Sequence, residues 1–192
     1  MNQMTSVTPF SKYKLLILTT LVEGVVVIAA LIMAWLFGIK LFPLTRNIFH
    51  DIVIGTLGAS IPLALFILLL SKKTTNIAML GSLRKTIIND IRVIFSNCSL
   101  IDLCFISIFA GFAEELLFRG VIQVKLGIIG ASIIFGLLHF ITPAYCIIAT
   151  IMGFYLGFLF QYYESILIPI QLHFVYDLGA LIYLRYYYID QS

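Results

Sequence analysis

Apolar residues run along this chain in stretches close to 20 residues, the length at which an α-helix crosses the hydrocarbon of a bilayer. Six such stretches stand out, at 15–38, 52–71, 100–122, 127–142, 144–161 and 165–186. The last three follow one another closely, with Pro143 and then Tyr162-Tyr163-Glu164 as the breaks. The predicted fold is all-α, a polytopic transmembrane bundle of about six spanning helices. Lys12 and Lys14 precede the first stretch as they would in a signal peptide, but that stretch is too long for a signal core and lacks a small-residue cleavage site. It is expected to stay in the protein as a first spanning helix. Gly153 and Gly157, and Gly55, Gly58, Ala59 and Ser60, mark places where helices can approach closely.

One polar segment interrupts the apolar pattern, SKKTTNIAMLGSLRKTIINDIRVIFSN, between the second and third stretches. Ile87, Ile88, Ile91, Ile94 and Phe95 fall on one helical face, with Arg84, Lys85, Asn89 and Arg92 mostly on another. This predicts an interfacial amphipathic helix with its basic side toward anionic lipid. Lys72, Lys73, Arg84, Lys85 and Arg92 lie in this loop, on the same side as Lys12 and Lys14, whereas Lys40 and Arg46 lie in the opposite one. The bias predicts a cytoplasmic N-terminus.

Composition agrees with the pattern. Hydrophobic residues make up 61% of the chain and charged ones 11%, far from the balance of a water-soluble domain. The net charge of +3 is spread over the loops, so no nucleic-acid partner is expected; the expected partner is the lipid bilayer. Three cysteines without CxxC spacing fit neither a disulfide framework nor a cysteine-ligated zinc site, and read as free thiols. Nothing in the pattern sets an oligomeric state.

Against this background the stretch FAGFAEELLFRGV places Glu114, Glu115 and Arg119 inside an apolar helix. A charge at the bilayer centre costs about 2.5–3.5 kcal/mol on insertion scales, so these side chains must pair or face an internal pocket. Glu115 and Arg119 are four apart and share a face, the spacing of an intrahelical ion pair that supports the bundle. Glu114 is rotated by about 100° from Glu115 and has no partner on its own helix. Partners are available on other spans: His139 in the fourth, with Phe135 one turn before it, and His173 in the sixth, with Asp177 one turn after it. Glu23, in TLVEGVVV, is a further intramembrane carboxyl, read as a structural one, protonated or bonded across helices.

A carboxylate and an imidazole around one water can hydrolyse an amide without a covalent intermediate. Glu114 would take the proton, His139 would hold the water, and His173 with Asp177 would face the developing oxyanion. No GxSxG or similar nucleophile signature offers another route. Zinc is the rival chemistry, with Glu114, His139 and His173 as ligands and water in the fourth position, although the local HExxH spacing is absent. A non-catalytic membrane scaffold would use the same fold. A proton-coupled carrier would also use intramembrane acids and histidines, but no inverted repeat accompanies them.

EELLFR (Glu114 to Arg119), FGLLH (Phe135 to His139) and HFVYD (His173 to Asp177) occur in this order and resemble the EExxxR, FxxxH and HxxxN/D motifs of the CAAX-protease and bacteriocin-processing family of intramembrane proteases. That family includes the type II CAAX prenyl endopeptidases. The resemblance covers about Leu100 to Tyr187. It divides one integral domain into an N-terminal part, 1–98, with two transmembrane helices and the amphipathic loop, and a catalytic core, 99–188. The resemblance implies a bacterial plasma-membrane glutamic endopeptidase without a cofactor, acting on a membrane-associated peptide or protein. Glu114 would be the catalytic base, His139 would activate water, and His173 and Asp177 would complete the site. Arg119 would pair with Glu115. The third motif more often ends in Asn; an ionised Asp177 cannot donate to an oxyanion, which points to a role in orienting His173. The family also implies a non-catalytic alternative, bacteriocin immunity.

Overall fold

The computed structural model describes residues 11–71 and 78–187 of the chain. Lys72 and Lys73 of the basic loop lie outside the described residues, as do the first ten residues and the last position of the expected 99–188 core. The described residues form α1 (Lys12–Phe37), α2 (Ile48–Leu69), α3 (Ala78–Thr86), α4 (Arg92–Ile94), α5 (Leu100–Leu117), α6 (Gln123–Leu138), α7 (Pro143–Tyr163) and α8 (Leu167–Ile182). A π-helical turn, Ile87–Ile91, joins α3 to α4; another, Phe118–Ile122, joins α5 to α6; a third, Tyr183–Tyr187, follows α8. The protein is an all-α membrane protein.

Among the described residues, five helical stretches are long and apolar enough to cross a bilayer, and the third of them runs through a kink. The third and fourth expected spans form one 39-residue stretch, Leu100–Leu138. Gly127 breaks it, with φ 72° and ψ 174°, a conformation that is almost confined to glycine. The chain folds back there: Phe118 touches Phe135 and Glu114 meets His139, pairs placed symmetrically about the turn. The returning leg ends at Leu138, roughly 16 Å after the turn at 1.5 Å per residue, about half a hydrocarbon thickness. The fourth expected span is thus a half-length arm. The turn falls where the third and fourth expected spans meet, after Gln123 and Lys125; the difference lies in the length of the returning leg.

The other boundaries follow ordinary capping chemistry. Ser99 and Asp102 form a reciprocal capping box that starts α5, and Lys12 reaches Asp102 at 3.9 Å. Thr142 caps α7 with Pro143 in the first turn, and Glu164 ends that helix in a left-handed conformation.

Helix α1 packs against α5, α5 against α8, α2 against α8, and α6 against α7. Register gives the directions. Gly58 lies against Leu172 and Gly179 against Leu63, so α2 and α8 run parallel. Gly153 lies against Ser132 and Gly157 against Ile128, so α6 and α7 are antiparallel. Direction alternates along the chain, which places the start of α1, the α3–α4 segment and the end of α8 at one end of the bundle. At the other end, Asp51 accepts from Ser165 at 2.5 Å and from Thr45, and meets His50 Nδ1 at 2.8 Å. The carbonyl of Leu44 accepts from Ile166 N–H at 3.1 Å, so this knot ties the start of α2 to the start of α8. His50 is in the first turn of α2.

The amphipathic segment packs on the bundle. Leu83, Ile87 and Ile88 are buried with Leu70, Ala144 and Leu184. Arg84 Nε donates to the Leu70 carbonyl at 3.0 Å and Arg92 Nε to that of Leu184 at 3.2 Å. Two of the basic side chains expected to face lipid therefore reach back to the carbonyl-rich C-terminal ends of α2 and α8.

Candidate active site

The interior of the bundle is built around Glu115, which is fully buried. Arg119 Nη1 donates to it at 2.9 Å and Nη2 donates to the Gly153 carbonyl on α7 at 3.0 Å. The guanidinium lies 4.9 Å from the centre of the Phe135 ring, a cation–π contact. The intrahelical ion pair read from the i,i+4 spacing is present, but Glu115 does more than balance Arg119. Its Oε1 also lies 2.8 Å from His173 Nδ1. That bond links α5 to α8, and the spacing within one helix carried no sign of it. It forms because Gly111 lets the helices approach: a Cβ there would sit 3.0 Å from the Phe174 backbone nitrogen and 3.2 Å from the Ile170 carbonyl.

His173 is held from both sides, since its Nε2 lies 3.4 Å from Asp177 Oδ2. Arg119, Glu115, His173 and Asp177 thus form one continuous polar chain from α5 to α8.

Glu114 points elsewhere, as the helical geometry required. Its Oε2 lies 3.5 Å from His139 Nε2 and has no hydrogen-bond partner among the described residues. His139 is the residue that ends the short arm α6, not a mid-span position. Its Nδ1 lies 2.8 Å from the Phe135 carbonyl. Because a carbonyl only accepts, Nδ1 carries the proton and Nε2 of the neutral ring presents a lone pair to Glu114. Phe135 stacks on His139 with ring centres 4.3 Å apart and meets His173 edge-on at 6.3 Å. The structure therefore brings Glu114, Glu115, Arg119, Phe135, His139, His173 and Asp177 together.

The site is graded in exposure. The Glu115 side chain is 0% exposed, Glu114 17%, His139 29% and Asp177 31%. The two most exposed members, His139 and Asp177, are the ones nearer the bundle end that carries the start of α1 and the end of α8.

Two further residues approach it from outside the motifs. Glu23 on α1 is close enough to interact electrostatically with Glu114, His173, His139 and Asp177. Its Oε2 is buried without a hydrogen-bond partner, so a bond across helices does not account for that oxygen. Tyr145, near the start of α7, interacts in the same way with Asp177 and Glu114. Hydropathy offered only the anomaly of an acid in an apolar run for the first, and nothing for the second.

The residues do not fit zinc as a ready set of ligands. Among the described residues no three His, Cys, Asp or Glu side chains converge in a way that could hold a metal ion. Both ring nitrogens of His173 already face carboxylates.

A polytopic helical membrane protein with carboxylates and imidazoles gathered inside the bundle is the class that fold and site define. Residues 96–179 match the family model described as type II CAAX prenyl endopeptidase Rce1-like. The matched segment is less than half of the 192-residue chain, and what it shows is a likeness of that segment to the family. The chain is also 37% identical over 87 residues to the uncharacterized protein YpbD of Bacillus subtilis (strain 168). The similarity covers 44% of this chain and 46% of YpbD, so the chain matches about half the length of that relative. No solved structure matches the chain.

Proposed function

We propose that the protein is an intramembrane glutamic endopeptidase of a bacterial plasma membrane, which hydrolyses a peptide bond of a membrane-associated peptide or protein. One observation carries this reading: Glu114 Oε2 and His139 Nε2 face each other at 3.5 Å, and in the neutral ring with Nδ1–H on the Phe135 carbonyl that nitrogen is an acceptor. With Glu114 ionised, two acceptors at that separation call for a shared donor, and a water giving one hydrogen to each satisfies both. Glu114 takes the proton as the water oxygen attacks the scissile carbonyl, then passes it to the departing amine. His139, fixed by the Phe135 carbonyl and ring, keeps the water aimed.

The charge that develops on the carbonyl oxygen falls to His173. Its Nδ1 donates to Glu115, and with a second proton its Nε2–H, which faces Asp177 at the longer distance of 3.4 Å, is shared with the oxygen as charge develops. Asp177, an acid where the related motif more often has Asn, orients Nε2 through the 3.4 Å contact. Arg119 and Glu115 act through His173, as positioning residues. No metal-dependent step is required by this route, and the engagement of both His173 nitrogens supports it over the zinc alternative.

The orientation reading rests on charge. Lys12, Lys14, Arg84, Lys85, Arg92 and Arg185 belong to the bundle end that carries the start of α1 and the end of α8, and Lys40, Arg46 and Lys125 to the other. By the positive-inside rule water and substrate enter from the cytoplasmic side.

The test compares membrane proteomes from cells expressing wild type, Glu114→Ala or His139→Ala, followed by cleavage of the captured candidates by purified protein in liposomes. The expected result is one or more membrane peptides that accumulate uncut with both variants. If the variants process everything the wild type processes, the protease reading fails.

A further inference from the structure

Helix α1 lies outside the segment that matches the endopeptidase family, yet it turns one acid toward the site. Along α1 the positions shielded from the surroundings recur every three to four residues, through Leu15, Thr19, Glu23, Val27, Ala30 and Ala34. Glu23 is at the centre of that stripe. The register supports this placement. Lys12 meets Asp102 near one end of the α1–α5 contact, and Ala30 and Ala34 pack with Leu116 further along. Glu23 thus stands on the side of α1 that faces α5, close enough to interact electrostatically with Glu114. Its Oε2 is shut off from the surroundings but bonded to nothing among the described residues.

A buried carboxyl oxygen without a partner calls for a donor that arrives from elsewhere. The charges nearby indicate which kind. Arg119 neutralises Glu115, and His173 stands between Glu115 and Asp177, so Glu114 and Glu23 are acids beyond what those groups balance. Glu114 Oε2 lies 3.5 Å from the His139 imidazole, whereas Glu23 Oε2 has no hydrogen-bond partner among the described residues. An incoming ammonium or guanidinium would supply a hydrogen bond and favour the ionised carboxylate, the combination that makes charge-assisted bonds strong.

Resting on the endopeptidase reading, we propose that Glu23 is a specificity-determining residue: it receives a cationic group of the substrate, a lysine or arginine within a few residues of the cleaved bond. The substrate class is then a membrane-associated peptide with a basic residue beside its scissile bond. The catalytic centre lies on the helices of the matched segment, and α1 supplies the selection.

The experiment uses the full chain in liposomes and a set of acylated, fluorescence-quenched apolar peptides that carry lysine, norleucine or glutamate at successive positions. Wild type is expected to cleave the best lysine peptide with a kcat/KM about tenfold above its norleucine counterpart, and the glutamate peptide least. In Glu23→Gln the lysine-to-norleucine ratio falls to about 1, and in Glu23→Asp it keeps an intermediate value. Free-amine versions of the peptides distinguish a side-chain cation from a chain terminus. A lysine preference that survives Glu23→Gln, or no preference in a wild type that cleaves, overturns the proposal. Binding of the same peptides to Glu114→Gln gives a readout that does not need turnover. Selective, Glu23-dependent binding without cleavage by wild type would uphold the proposal and sink the protease reading. Binding that is indifferent to lysine would sink the proposal alone.

Discussion

At the level of single residues, two adjacent glutamates have opposite duties because consecutive helical positions differ by about 100°. Glu115 is locked into a buried chain with Arg119 and His173, whereas Glu114 is held by nothing stronger than a 3.5 Å contact. Their substitutions are expected to separate stability from activity. Arg119→Ala removes the guanidinium partner of a buried carboxylate and should lower stability by about 3–5 kcal/mol, checked by unfolding in detergent. Glu114→Gln should leave the melting temperature nearly unchanged while turnover falls by about 10²–10⁴-fold, the usual worth of a positioned general base. The Glu114, Glu115, Arg119 arrangement was legible in the sequence because i,i+4 geometry is local. The bond from Glu115 to His173 and the approach of Glu23 were not, since both depend on how one helix registers against another, and no local spacing encodes that.

Among the elements, the hairpin of α5 and α6 decides the most. Apolar stretches and their proline and tyrosine breaks gave most helix boundaries correctly. The turn at Gly127 falls at the expected start of the fourth span; the half length of the returning leg was not legible, because the apolar run continues through Phe140 and Ile141 beyond the end of the helix. Gly127→Ala would have to adopt φ 72° and ψ 174° with a Cβ. It is expected to cost about 1–3 kcal/mol and to lower activity together with stability, as a thermal melt and a cleavage assay on the same sample would reveal. The knot around Asp51 acts at the opposite end of the bundle from the start of α1 and the end of α8. Asp51→Ala would leave the Ser165 and Thr45 hydroxyls without their acceptor, and should lower stability by about 1–3 kcal/mol in the same unfolding assay.

For the whole molecule, alternating helix direction sorts the loops onto two faces, and the charge difference between those faces carries the proposed orientation. In a chain whose native cysteines are replaced, Tyr13→Cys should react with a membrane-impermeant maleimide only in inverted vesicles, and Glu164→Cys only in intact spheroplasts. The reverse pattern would place the start of α1 and the end of α8 on the outer face. The hairpin has one more consequence at this scale. Glu114 and His139 are the tips of two legs, each roughly 20 Å long and joined at a single glycine. A splay of about 3° at that pivot would part the tips by about 1 Å, a misplacement that can lower a rate about 10²-fold. The contacts along the legs, Phe118 on Phe135, Arg119 to Gly153 and Gln123 to Gly157, therefore act as braces against leverage. Loosening any one of them would detune the reaction from a distance, with every reacting atom still in place.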